Sequence, residues 1–291
     1  MINIVLLNGK ELSCIIKDEL REIVSRRRSD GKSEIVLSII QVGDDPASSV
    51  YVRNKVRACE YVGIKIRTYH FPEFVSQYEL VSQISKLNQD GEVTGILVQL
   101  PLPKHINERE VTSAISVEKD VDGFHEINIG RLCSGDHCIL PCTPAGIIEL
   151  LKYYGINISG KECVVVGRSN IVGKPAAMLL LQNDGTVTLC HSKTSDLKSV
   201  CRRADILVCA IGSPKFFTNE YVKDGAVVID VGIHRLSDGS LCGDVDFDDV
   251  ATAASAVTPV PGGVGAMTVA MLMRNCVELA DRNNNKQIGV Y

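Results

Sequence analysis

Tyr51 and Lys55 stand four residues apart in a stretch that reads as helix, so they share a face, one turn apart. Val52, Val56 and Cys59 form the apolar stripe beside them, which sets the phenol and the ammonium at the edge of a core, facing a cleft. Such a pair could stack on a flat ligand and exchange a proton with it; a solvated Lys beside a packed Tyr would leave the same spacing. Gln99 follows Ile96-Leu97-Val98 at the C-terminal end of an apolar strand, where the ligands of open parallel sheets gather. A buried amide there must find partners, in the backbone or in a ligand. Lys119-Asp120-Val121-Asp122-Gly123 is acidic and turn-like, and fits either a surface turn or a carboxylate offered to a ligand.

A second constellation lies downstream. The apolar strand 163–166 runs into Gly167-Arg168-Ser169-Asn170-Ile171-Val172-Gly173-Lys174-Pro175, and a helix follows. Strand, glycine turn and helix N-terminus make an anion site, because free backbone N–H groups point at the ligand. Gly167 allows a tight turn and Gly173 allows helix and strand to pack closely. The spacing is not G-x-G-x-x-G, so a plain strand-to-helix turn stays open. An NAD site carries Asp or Glu about 20 residues further on, to take the ribose hydroxyl. Here strand 186–190 ends in His191-Ser192-Lys193-Thr194, without a carboxylate. Arg168, Ser192 and Lys193 are instead suited to a 2′-phosphate, so the expected cofactor is NADP rather than NAD.

Alternating elements must position these residues. Leu12, Ile15, Ile16, Leu20, Ile23 and Val24 recur at helical spacing. Residues 35–42 read as a buried strand. Pro46 and the cap candidates Ser48-Ser49 open a helix that Gly63 closes. Strand 65–70, helix 77–87 and strand 94–100 follow, the last stopped by Pro101 and Pro103. A linker is expected over 119–142. Thr143 then caps a helix with Pro144 at its first position and Gly155 at its exit. Further strands are expected at 163–166, 186–190, 206–210, 226–231 and 254–257, a last helix at 266–282, and a frayed Asn283-Asn284-Asn285 tail. The pattern implies an α/β protein with parallel sheets covered by helices.

Composition narrows the function classes. The chain has 291 residues, 45% hydrophobic and 23% charged, enough for two domains at about 100–200 residues each. A net charge of −4 with no dominant basic face speaks against nucleic acid. Arg26-Arg27-Arg28 reads as a solvated helix end. No apolar run approaches the roughly 20 residues that span a bilayer, and the N-terminus lacks a leader pattern. The eleven cysteines are odd in number and include no C-x-x-C pair, so they are read as reduced thiols of a cytoplasmic protein. Cys133, His137, Cys138 and Cys142 lack zinc-site spacing, and no metal is expected.

Tyr51-Val52-Arg53-Asn54-Lys55, Val98-Gln99-Leu100-Pro101-Leu102-Pro103, Lys119 to Gly123, Gly167-Arg168-Ser169 with Val172-Gly173-Lys174-Pro175, and Pro259-Val260-Pro261-Gly262-Gly263-Val264-Gly265 occur in that order. Together they resemble the bifunctional methylenetetrahydrofolate dehydrogenase/methenyltetrahydrofolate cyclohydrolase family. A two-domain NADP dehydrogenase of the shikimate type would also pair a Lys and an Asp with a Rossmann domain, but the Val98 to Pro103 run separates this chain from it. The resemblance implies NADP-dependent oxidation of 5,10-methylenetetrahydrofolate and hydrolysis of the methenyl product to 10-formyltetrahydrofolate, within the one-carbon metabolism that serves purine, methionine and histidine biosynthesis. It matches Lys55, Tyr51, Gln99 and Asp122 to the family's catalytic and folate-holding residues. Gly167, Arg168, Ser169, Gly173, Ser192 and Ile233 match its cofactor residues, and Pro261, Gly262 and Gly263 its substrate loop. A homodimer is implied, with a catalytic domain of residues 1–122 and 266–291 around a Rossmann NADP-binding domain of 143–265. One departure is visible: the family usually continues its last loop with Pro-Met-Thr, and this chain has Ala266-Met267-Thr268. Ala is expected to keep the helix and leave the loop looser.

Overall fold

The computed structural model describes residues 4–288. In chain order they form β1 (Val5–Leu6), α1 (Gly9–Ser29), β2 (Val36–Val42), α2 (Pro46–Val62), β3 (Lys65–Phe71), α3 (Gln77–Gln89), β4 (Gly95–Val98), α4 (Glu108–Ser113) and α5 (Glu126–Ser134). Then come α6 (Cys142–Tyr153), β5 (Glu162–Val166), α7 (Gly173–Gln182), β6 (Thr186–Cys190), α8 (Leu197–Cys201), β7 (Ile206–Cys209) and β8 (Val227–Asp230). The chain finishes with β9 (His234–Arg235), β10 (Leu241–Cys242), α9 (Phe247–Val250), β11 (Ala256–Val257) and α10 (Val264–Ile288).

Two compact units divide the chain. One, formed by residues 15–140 and from 269 onward, holds a parallel three-stranded sheet in the order β3-β2-β4. Its central strand β2 is apolar and almost wholly buried, as a strand covered on both faces must be. Leu80 and Ile84 of α3 pack onto Ile40, Ile96 and Val98. Each such fully buried side chain contributes roughly 1.5–3 kcal/mol. α3 starts at a capping box in which Ser76 and Glu79 satisfy each other's backbone N–H groups.

The other unit takes residues up to 14 and 141–268, and holds a six-stranded sheet ordered β1-β11-β8-β7-β5-β6. All its strand pairs are parallel. Val164, Val166, Leu207, Val228 and Phe217 form its core. The chain's first strand therefore lies with residues 141–268, where the sequence placed it with residues up to 122.

Several local expectations are corrected. α2 is capped by Asp45, whose carboxylate accepts from Ser48 N at 2.7 Å, rather than by Ser48 or Ser49; a carboxylate there also meets the positive end of the helix dipole. α6 begins at Cys142, before Thr143, and the Thr143 hydroxyl is bonded to that of Thr268 at 2.8 Å instead. The expected linker contains α5, which His125 caps and Gly135 ends. Asn283 to Asn285 continue α10 rather than fraying. Arg27 is buried, at 5% exposure, and pairs with Asp281 instead of facing solvent as Arg26 and Arg28 do.

Candidate active site

α2 brings Tyr51 and Lys55 to one face, both half-buried. One turn beyond Lys55, Cys59 is fully buried, 3.3 Å from the Met273 sulfur. Burial pushes its thiol up to about 12, so Cys59 acts as an inert apolar filler under the ammonium. Lys55 Nζ donates to Gln99 Oε1 at 3.0 Å. The Gln99 backbone N donates to Ile40 O at 2.8 Å, and Nε2 donates to Leu100 O at 2.6 Å. Because the NH₂ end of this amide must face a carbonyl, its oxygen is turned toward the ammonium. Burial also raises the Tyr51 phenol above its ordinary value, so it stays protonated at neutral pH.

The acidic motif is anchored from beneath. Asp120 is buried at 3% exposure and forms a parallel bridge to Ile96 of β4. Its carboxylate accepts from Gly123 N at 3.0 Å, His125 N at 2.8 Å and Asn128 Nδ2 at 2.8 Å. Asn275 of α10 donates to Val121 O at 2.8 Å and to Leu140 O at 2.9 Å. Asp122, half-buried, thus sits two residues past a pairing with β4, the strand that leads into Gln99. Sequence spacing did not single out Asp120 or Asn275, because a turn that buries its first carboxylate has the same composition as one that solvates it.

The unit of residues 141–268 holds the second constellation. Its chain leaves β5 toward β6 on one side and β7 on the other, so the topological switch point lies between β5 and β7. Gly167, at φ 128°, follows β5, and a Cβ there would collide with the Ala210 carbonyl after β7. A Cβ on Gly173 would collide with the Gly167 carbonyl, so the turn closes tightly on α7. The Ser169 hydroxyl accepts from Val172 N and Gly173 N, both at 3.2 Å, and orders the start of that helix. Val166 of β5 and Cys190 of β6 are in register. Arg168 and Ser192 each stand two residues beyond that pair, both exposed. Ile233 follows β8, 38% exposed. Pro261, Gly262 and Gly263 lie between β11 and α10 in this same unit, where Gly262 O accepts from Lys10 N at 2.8 Å.

Two family models match the chain: the tetrahydrofolate dehydrogenase/cyclohydrolase catalytic domain over residues 7–122, and that family's NAD(P)-binding domain over 141–284. The chain belongs to the tetrahydrofolate dehydrogenase/cyclohydrolase family. A bifunctional protein FolD from Lachnoclostridium phytofermentans is 60% identical over 272 residues, 94% of this chain and 96% of that protein. The solved FolD methylenetetrahydrofolate dehydrogenase/cyclohydrolase of Campylobacter jejuni superposes with a TM-score of 0.94 at 49% identity, covering 96% of this chain and 99% of that one. The Trypanosoma brucei enzyme, solved with NADP cofactor and an inhibitor, gives a TM-score of 0.92 at 38% identity over 97% and 98% of the two chains. Family membership assigns residues 141–284 to NAD(P) binding. The Gly167 turn, which only a glycine can make, the exposed Arg168 and the absence of a carboxylate from His191 to Thr194 all suit a dinucleotide bearing a 2′-phosphate. Among the described residues no cluster of metal-ligating side chains occurs, and no helix is long and apolar enough to cross a membrane.

Proposed function

We propose that this protein oxidises 5,10-methylenetetrahydrofolate to 5,10-methenyltetrahydrofolate with NADP, then hydrolyses the product to 10-formyltetrahydrofolate. The contact from Lys55 Nζ to Gln99 Oε1 at 3.0 Å carries this reading, since it pairs a proton-transfer group with a fixed amide at the C-terminal edge of a parallel sheet.

NADP, when bound, supplies the hydride acceptor. Gly167, Arg168, Ser169, Gly173, Ser192 and Ile233 would hold it, with Arg168 and Ser192 on the 2′-phosphate. Tyr51 stacks on the folate rings or bonds to them through its neutral phenol. Asp122 accepts donors from the pterin edge, a charge-assisted pairing. Hydride loss leaves a cation stabilised by the folate nitrogens, so this step needs orientation more than a base. In the hydrolysis, water adds to the cationic carbon, Lys55 takes a proton from that water, and the ring opens to leave the formyl group on one nitrogen. Gln99 holds Lys55 and the water in line. Pro261, Gly262 and Gly263 line the folate loop. The enzyme is further assigned to the cytoplasm as a homodimer, which sedimentation of the purified protein would check.

The test is a two-chromophore assay of purified protein given methylenetetrahydrofolate and NADP. Reduced cofactor should appear, and separately supplied methenyltetrahydrofolate should disappear faster than in buffer. Cofactor reduction with shikimate and not with the folate would overturn the reading.

A further inference from the structure

Asp244 lies just after β10, fully buried in the unit of the six-stranded sheet. Its carboxylate collects the backbone N–H groups of three successive residues in the loop after β7. Ile211 N is 2.7 Å and Gly212 N 3.1 Å from Oδ2, and Ser213 N is 2.9 Å from Oδ1. His234 Nε2, on a side chain 20% exposed, lies 2.8 Å from Oδ1. Asp230, the last residue of β8, is also buried, and accepts from Asp244 N at 2.9 Å, Val245 N at 3.0 Å and Gly232 N at 3.0 Å. No Cβ fits at Gly243, where it would collide with the Asp230 carboxylate. A buried carboxylate is costly unless hydrogen bonds offset it. The burial of Asp244 and the shape of the 211–213 loop therefore stand or fall together.

That loop occupies a particular place. It continues from Ala210, whose carbonyl lies against Gly167. It thus forms one wall of the switch-point crevice, facing the Gly167 turn, at the edge where open parallel sheets bind their ligands.

We infer that Asp244 is a positioning residue for the dinucleotide: through the backbone of 211–213 it fixes the crevice wall opposite the Gly167 turn, with Asp230 and His234 holding it in place. The inference rests on reading this crevice as the NADP site. Asp244 acts on the ligand only through the loop, so the dinucleotide-dependent oxidation depends on it and the hydrolysis of methenyltetrahydrofolate does not.

Asp244→Asn in the full-length protein keeps the size of the side chain and replaces one accepting oxygen with an NH₂ group. Loss of charge-assisted hydrogen bonds should raise the Kd for NADP, by titration calorimetry, and the KM for NADP about tenfold or more, with kcat at saturating NADP within about threefold. Hydrolysis of methenyltetrahydrofolate without NADP should stay within about twofold. An unchanged NADP Kd, or equal loss of hydrolysis and NADP binding, overturns the inference. If Asp244→Asn does not fold, His234→Gln perturbs the same carboxylate from its exposed side and should raise the NADP Kd about threefold; an unchanged Kd in that folded variant overturns it as well. A wild-type protein that binds NADP but turns over no folate would defeat the proposed activity and leave the Kd comparison standing.

Discussion

At the scale of single residues, the two constellations are held by different means. Arg168 and Ser192 each stand two residues beyond one register pair of adjacent strands. Removing Arg168 deletes a charge-assisted contact of about 1.5–3 kcal/mol, so Arg168→Ala should raise the KM for NADP about ten- to hundredfold. Steady-state kinetics with both dinucleotides should show little change in the KM for NAD; equal increases would move Arg168 away from the 2′-phosphate. Gln99 is fixed by its own backbone bond to Ile40 and by its side-chain bond to Leu100. Gln99→Leu leaves Lys55 without that acceptor, and methenyltetrahydrofolate hydrolysis should fall at least about tenfold while NADP binding is kept. Undiminished hydrolysis in that variant would dissociate the amide from the reaction. The residue types at these positions were legible in the sequence because a polar group at the end of an apolar strand, or a Lys one turn from a Tyr, stands out from its surroundings. Asp120 and Asp244 were not legible, since nothing in a short acidic turn tells which carboxylate is turned inward.

At the scale of elements, β4, β5, β7 and β8 were legible from continuous apolar runs, whereas β3 and β6 mix polar with apolar residues and stood out by their place between helices and turns. β1, β9, β10 and β11 span two residues each, too short to show a period, and only 254–257 was anticipated. α5 escaped notice because its support comes from His125 at its cap and from Asp120, which binds Asn128, rather than from an apolar stripe. The end of β8 has a pH signature. Burial first, then the neighbouring Asp244 charge, raises Asp230 from 3.8 to about 7 against the opposing pull of its backbone N–H partners. Between those values the folded protein holds a proton that the unfolded chain has shed. This contribution to stability is therefore complete below the unfolded value and is lost as pH rises through about 7. Carboxylates lowered by partners, such as Asp205 with Lys223, lose their contribution in more acidic solution and leave the window from about pH 5 to 7 to Asp230. Stability should fall across that window by on the order of a few kcal/mol at most, which a falling melting temperature would register. In Asp230→Asn the slope should flatten, and an unchanged slope would remove Asp230 as its source.

At the scale of the whole molecule, the chain returns at its end to the unit of residues 15–140. α10 carries Asp281 to Arg27 of α1, and Arg27 Nε and Nη2 are buried without a hydrogen-bond partner. The return of the last helix was implied by the family resemblance, but a buried arginine within Arg26-Arg27-Arg28 was not, because three adjacent charges read alike whichever one the helix turns inward. Asp281→Ala would leave that guanidinium unpaired. A loss of about 1–3 kcal/mol is expected, the low end reflecting the half-exposed carboxylate, and thermal melting would register it while NADP affinity stays unchanged. In the proposed reaction Lys55 serves the hydrolytic step and leaves hydride transfer to orientation. Lys55→Met, assayed with methylenetetrahydrofolate and NADP while reduced cofactor and the methenyl chromophore are followed separately, tests this most directly. Reduced cofactor should still form and the methenyl species should accumulate, its hydrolysis down about a hundredfold or more. Hydrolysis at the wild-type rate would contradict the assignment.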